Sequence, residues 1–140
     1  MGEKIYREDA GRLLSLSMFR PDPDRVYGTL ENLLSRNDTH VFLSLVSSKP
    51  VGFIAAERSG VGTASIRYIS VDAKFQGRGI GKELVIWLFS EWKDLREFRA
   101  ETDSSAVGFY RKCGFAIKSL GEKYPGVERF ECVLVRIHQD

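Results

Sequence analysis

The chain is poor in the residues that mark the commonest special chemistries. Its 140 residues include only two cysteines, Cys113 and Cys132, and two histidines, His40 and His138. The cysteines lie far apart, form no C-x-x-C pair and sit in apolar contexts. A disulfide or a metal role is therefore not expected, and both read as buried, reduced thiols. Each histidine stands alone on or near a strand end and reads as structural or exposed rather than catalytic. No apolar run approaches the roughly 20 residues a membrane span needs, and Met1-Gly2-Glu3-Lys4-Ile5 lacks an apolar signal core. Tyr6 stands where a myristoylation signal has Ser or Thr, so the Met1-Gly2 start is not read as a lipidation site. A cytoplasmic protein with no membrane partner is expected.

Charge of one sign is also scarce. A formal net charge of +2 without a clustered basic face gives no footprint for nucleic acid. Internal repeats, low-complexity tracts and linker composition are missing, so residues 1–140 are expected to form one domain. An apolar fraction of 43% against 29% charged residues is that of an ordinary folded chain with a core of its own.

Periodicity gives the order of elements. An opening segment reads as a short edge strand, followed by a helix from Ala10 to Met18 carrying Leu13, Leu14, Leu16 and Met18. Asp22 and Pro23 have the types that cap and start a second helix, with Val26, Tyr27, Leu30, Leu33 and Leu34 at helical spacing to about Arg36. Three strands follow, from Thr39, Val51 to Glu57 and Ala64 to Val71, the first two as an antiparallel hairpin around Ser47–Pro50. A long helix carries Ile80, Leu84, Val85, Trp87, Leu88, Phe89 and Trp92, a load wide enough for burial against a sheet. Phe98 to Thr102 reads as a strand. Ser104 or Ser105 is expected to cap a helix that runs through Cys113 and stops at Gly114. Phe115–Leu120 and Arg129–Ile137 close the chain. The fold class is α+β around one mixed sheet.

The most informative stretch joins the third strand to the long helix: Ser70-Val71-Asp72-Ala73-Lys74-Phe75-Gln76-Gly77-Arg78-Gly79-Ile80-Gly81-Lys82. Three glycines at alternate positions let main-chain N–H groups turn outward, and the helix start adds about half a positive charge, so the stretch is an anion cradle. Spacing separates the phosphate chemistries. Gly81-Lys82 is followed by Glu83 rather than Ser or Thr, and no glycine stands five before Gly81, so a P-loop is excluded. Gly77-x-Gly79 has Lys82 where a dinucleotide fingerprint needs its third glycine. The preceding strands form a meander rather than a βαβ unit, although Glu101 lies about 20 residues on.

The third pattern is Q-x-x-G-x-G at Gln76, Gly79 and Gly81. Downstream stands Ala106-Val107-Gly108-Phe109-Tyr110-Arg111-Lys112-Cys113-Gly114-Phe115. Together these resemble the acyl-CoA loop [RQ]-x-x-G-x-[GA] and the A-x-x-[LF]-Y-x-x-x-G-F block of the GCN5-related N-acetyltransferase (GNAT) family, and the element order agrees over nearly the whole chain. The resemblance implies a mixed, mostly antiparallel sheet of about six to seven strands with helices on both faces. It also implies an enzyme that transfers an acetyl group from acetyl-CoA, its acyl-donor substrate, to a primary amine by direct attack in a ternary complex.

The residues that would meet the donor follow from the same resemblance. Gln76, Gly77, Arg78, Gly79, Ile80, Gly81 and Lys82 would hold the pyrophosphate, chiefly through the backbone. Ile69, Ser70 and Val71 would border the pantetheine arm, which enters where the third strand splays from the Phe98–Thr102 strand. The Val71 N–H would face the thioester carbonyl, an oxyanion contact that can contribute about 3 kcal/mol. Phe109 would pack under the cofactor. Tyr110 would protonate the departing thiolate, its competing reading being a core aromatic.

The general base stays open. Arg67 occupies the position where many family members carry a glutamate, which leaves Glu57 and Glu101 as candidates acting through water. Either is equally an ordinary exposed strand residue. Asp103 stands where many members have an asparagine and could accept, but not donate, the same hydrogen bonds. Acceptor contacts are expected from Phe19 to Tyr27 and from Lys123 to Glu128, and the stretch Tyr124–Glu131 loosely resembles the closing hairpin of N-terminal protein acetyltransferases. The acceptor is thus either a peptide amino group or a small amine. Homodimerisation is frequent in the family, and nothing in Arg129–Ile137 decides it. The alternative from another class is a non-catalytic acyl-CoA-binding or regulatory module, which the arginine at position 67 permits.

Overall fold

The computed structural model describes residues 2–136, with side chains from Tyr6 onward. Helices α1 (Gly2–Ser15) and α2 (Pro23–Ser35) lead into strands β1 (Thr39–Val46), β2 (Lys49–Gly60) and β3 (Thr63–Val71). A single 3-10 turn (Ala73–Phe75) and helix α3 (Ile80–Glu91) follow. Strand β4 (Glu97–Asp103), helix α4 (Val107–Lys112) and strands β5 (Ala116–Tyr124) and β6 (Val127–Val135) complete the chain. The six strands form one sheet in the order β1-β2-β3-β4-β6-β5, antiparallel throughout except between β3 and β4.

Alternation along strand β2 explains the layers, with a bulge at Val51, unmatched between the Leu45–Pro50 and Ser44–Gly52 pairs, moving that residue to the other face. Phe53 and Ala55 face one side, where they meet Ala10, Leu13 and Leu14 of α1 and Val26, Leu30 and Leu33 of α2. Val51, Ile54 and Ala56 face the other, beneath Ile80, Leu84, Val85, Leu88 and Phe89 of α3. A strand buried on both faces reads as a continuous apolar run, and Val51–Ala56 is one. Gly52 lets α3 come close, since a Cβ there would lie 2.9 Å from Ile80 Cγ2. Helix α4 joins the α3 layer through Val107 and Tyr110.

Local rules account for several boundaries. Asp22 caps α2 by accepting from the Arg25 N–H at 3.0 Å, with Pro23 in the first turn. Ser47 and Ser48 both adopt positive φ, the geometry of a two-residue hairpin turn matched to strand twist, so β2 begins at Lys49 rather than Val51. Gly114 ends α4 at φ 95°.

Other expectations need correction. The opening segment is the first part of α1 and not an edge strand, and α1 ends at Ser15 rather than Met18. Tyr6, Ala10, Leu13 and Leu14 fall at helical spacing, and the last three reach zero to 7% exposure against the sheet. Trp87 and Ile86 are about half exposed, so α3 has a wet side. Helix α4 starts at Val107 with no side-chain cap at Ala106, and Ser105 is instead held by Asp103. The closing hairpin is longer than expected, with strands reaching Tyr124 and starting again at Val127 around a tight turn at Pro125-Gly126. Ile137 and His138 lie outside the described residues. Cys113 and Cys132 are free thiols. Among the described residues, no helix is long and apolar enough to cross a membrane.

Candidate active site

The sheet comes apart in its middle. β3 and β4 pair at only three positions, Thr63 with Glu97, Ala64 with Phe98 and Ser65 with Arg99. Beyond Ser65 the strands diverge. The cause is local: the ladder between β2 and β3 passes from Ala56–Ile66 to Ala55–Tyr68, leaving Arg67 as an extra, unmatched residue. Such a bulge bends its strand and increases its twist, and here it turns the second half of β3 away from β4.

The diverging edge presents free backbone. Asp72 donates its N–H to Val51 of β2 at 2.8 Å, and peptide groups alternate sides along a strand. Residues 70 and 72 therefore point toward β2, whereas Ile69 and Val71 point into the gap. On that side the Val71 carbonyl accepts from the Gln76 side chain at 3.1 Å. Ser70, expected beside them, is turned away: its main chain faces Phe53 and its Oγ donates to the Leu13 carbonyl at 2.5 Å. Buried or half-buried strand edges of this kind need a partner.

The glycine loop lies at the open end of the gap. Asp72 accepts from the Lys74 N–H at 3.1 Å and from Arg12 of α1 at 3.0 Å, which anchors the turn. These bonds hold the Asp72 carboxyl below its ordinary range, the Lys74 N–H being the largest cause. Gly77 and Gly79 adopt φ of 80° and 83°, conformations that favour glycine. Gly79 begins α3 without a side-chain cap, and the first helical bond runs from the Glu83 N–H to its carbonyl. The main-chain N–H groups from 76 to 82 have no hydrogen-bond partner among the described residues. Uncapped donors at a helix start attract an anion. Arg78 is exposed and stacks on Phe75, its guanidinium 4.9 Å from the ring centre, while Lys82 is exposed on the first turn of α3.

Helix α4 brings Phe109 and Tyr110 beneath the loop. Phe109 packs against Gly81 and meets Tyr110 edge-on at 5.1 Å. Tyr110 is buried, with Phe115 edge-on at 5.3 Å on its other side. Burial pushes the phenol pKa well above its ordinary value, and the nearby Cys132 and Cys113 thiols act in the same direction. The hydroxyl has no hydrogen-bond partner among the described residues.

On the opposite face, the side shared with α1 and α2, the gap widens into a cleft of about 500 Å³. Ser65, Arg67, Tyr68, Arg99, Glu101, Arg129 and Glu131 line it, with Ile66 and Ala100 at its base. Glu101 is bound by Arg129 Nε at 3.1 Å and approached by Lys123 at 3.8 Å. Glu57 does not line this cleft; Arg36 holds it at 2.9 Å, with Arg67 at 3.7 Å. Asp103 accepts from the Ser105 hydroxyl at 2.6 Å and its N–H at 3.0 Å, bonds that lower its pKa and brace the start of α4.

Sequence reasoning missed the contributions of Arg99, Arg129 and Glu131. Their alternation in β4 and β6 was readable, but which face stayed uncovered depends on where α1 and α2 dock. The bulge at Arg67 carries no glycine and left no signal.

A family model described as an acetyltransferase (GNAT) domain matches residues 37–117. An uncharacterized N-acetyltransferase of Methanocaldococcus jannaschii is 30% identical over 99 residues, which is 63% of this chain and 44% of the relative. The chain thus spans less than half the length of that curated relative. Among solved structures, the aminoglycoside 6'-N-acetyltransferase of Enterococcus faecium superposes with a TM-score of 0.83 at 16% identity, covering 99% of this chain and 95% of that one. A streptothricin acetyltransferase homologue from Bacillus anthracis, solved in complex with acetyl coenzyme A, gives a TM-score of 0.67 at 23% identity over 76% and 68% of the two chains.

Proposed function

This chain belongs to the GNAT acetyltransferase family, and from that premise we propose that it transfers an acetyl group from acetyl-CoA to a primary amine by direct attack in a ternary complex. One observation carries the reading: a free strand edge at Ile69 and Val71 runs straight into an uncapped, glycine-lined helix start. An extended amide-bearing arm ending in a pyrophosphate satisfies both. Its amides pair with Ile69 and Val71 as a substitute strand, and its phosphates accept from the N–H groups between Gln76 and Lys82. Arg78 and Lys82 add charge at the rim.

The chain's residues then divide the work. The amine nitrogen attacks the thioester carbonyl carbon, and a main-chain N–H of the free edge at Ile69 and Val71 receives the charge that develops on the carbonyl oxygen, a contribution of about 3 kcal/mol. As the C–S bond breaks, the Tyr110 phenol gives its proton to the sulfur. The amine proton leaves through water to Glu101, which lines the cleft, whereas Glu57 is set back from it. No acyl-enzyme is invoked: Cys113 follows α4 on the far side of the sheet, with its pKa raised by burial, and is a poor nucleophile.

The test measures thiol release from acetyl-CoA against a panel of amines, with thermal melts in CoA and in NAD beside it. Acetylated product with at least one amine, and stabilisation by CoA alone, are expected. Firm CoA binding without transfer to any amine would replace the enzyme by a binding module, and stabilisation by NAD would overturn the donor.

A further inference from the structure

The cleft beside the splayed strands carries an unusual charge arrangement for a site that receives amines. Three guanidinium groups, from Arg67, Arg99 and Arg129, face two carboxylates, from Glu101 and Glu131. A second ammonium on the acceptor, or a polycation, meets net repulsion there.

The three arginines are not equivalent. Arg129 binds Glu101 through Nε at 3.1 Å. Arg99 grips its strand neighbour Glu97 with Nε at 2.8 Å and Nη2 at 2.7 Å. Among the described residues, Arg67 has one oppositely charged neighbour, Oε1 of Glu57 at 3.7 Å, an ion pair beyond hydrogen-bond reach. Arg36 donates to the other oxygen of that carboxylate, Oε2, at 2.9 Å. Arg67 thus lines the cleft holding one long ion pair and making no hydrogen bond among the described residues. The bulge places Arg67 outside the regular alternation of β3, two residues past Ser65, where the gap begins and the cleft lies.

A guanidinium in a concave site, with its donors free and other cations nearby, is the standard means of fixing a carboxylate in a planar, two-pronged contact. We infer that Arg67 is a specificity-determining residue that binds a carboxylate on the acceptor, so that the acceptor is an amine of the amino-acid class. The carboxylate offsets the cationic excess of the cleft and sets the amine's approach to the gap. Likeness in fold to an aminoglycoside acetyltransferase does not extend to such a site, since a polycationic acceptor is the class it disfavours.

This inference rests on the transferase reading for the location of the acceptor, but its test does not depend on turnover. Calorimetry on the CoA-saturated protein compares matched pairs that differ by one carboxylate: phenylalanine with phenethylamine, and lysine with cadaverine. The carboxylate member is expected to bind about tenfold more tightly in at least one pair, the size of a good charge-assisted contact. Arg67→Gln is expected to remove that preference, and Arg67→Lys to restore part of it, with CoA affinity and melting temperature unchanged. If amines bind with no preference in the wild type, or if the preference survives in Arg67→Gln, the inference is overturned. Transfer to amines without any preference would refute Arg67's role and leave the transferase intact. Preference without transfer would do the reverse.

Discussion

Gly81 and Phe109 meet so closely that a Cβ on the glycine would lie 2.7 Å from Cε1 of the ring. The glycine is therefore needed twice, as part of the loop and as the seat for α4. Gly81→Ala improves intrinsic helix propensity by about 1 kcal/mol but forces the ring aside, and with it the edge contact that positions Tyr110. Stability is expected to change little, with a melting temperature within a few degrees of wild type. Turnover is expected to fall at least about tenfold, a barrier change of ~1.4 kcal/mol. Melting curves and steady-state rates on one preparation check both.

Gly79 gives a contrasting case. A Cβ there meets nothing within 4 Å, yet its φ of 83° is one that branched side chains resist. Gly79→Val is expected to cost about 1–3 kcal/mol in backbone strain. It also projects a side chain into the space assigned to the pyrophosphate. CoA affinity should be lost in a protein that still folds, as judged by circular dichroism and calorimetry. Unchanged affinity would mean the cradle is elsewhere.

Tyr110 sets the alkaline side of catalysis. With its pKa raised by burial, the phenol keeps its proton beyond the ordinary value of about 10. The kcat/KM profile should therefore rise with pH as acceptor and base lose protons, and show no falling limb below about pH 10. Tyr110→Phe should lower kcat by about 10²-fold or more with CoA affinity retained, the usual reach of a general acid. An alkaline limb at pH 8–9 that persists unchanged in the phenylalanine variant would contradict the assignment.

Stability should depend on pH through the same group. Tyr110, Cys113 and Cys132 all have pKa values raised by burial in the folded protein. Each holds its proton more tightly folded than unfolded. Its contribution is complete below the unfolded values, about 8.5 for the thiols and 10 for the phenol, and is lost as pH rises toward the folded ones. Thermal melts from pH 7 to 11 should show a decline that starts near pH 9, with the part above pH 10 reduced in Tyr110→Phe.

What the sequence made legible was set by short-range rules. The Asp22-Pro23 helix start, the hairpin around Ser47–Pro50, the Gly114 stop and the donor-side loop all depend on neighbours within a few residues. The errors came from long-range choices. Whether residues 2–9 form strand or helix was decided by docking of Ala10, Leu13 and Leu14 onto β2. Glu57 and Glu101 looked interchangeable as strand carboxylates, and only the position of the gap separates them. The bulge at Arg67 depends on a register shift between two strands, which no single stretch of sequence displays.

The three residue pairs that join β3 to β4 are the only rungs of the ladder between two halves of the sheet, β1-β2-β3 and β4-β6-β5, each closed by long antiparallel ladders. One continuous core beneath α3 spans both halves, so the seam is open only within the sheet itself. A donor lying in the gap would extend the three rungs along the rest of the seam and make one continuous sheet of the two. Slowed amide exchange at Ile69 and Val71, together with sharper cooperativity of unfolding, would register that closure without any acceptor present.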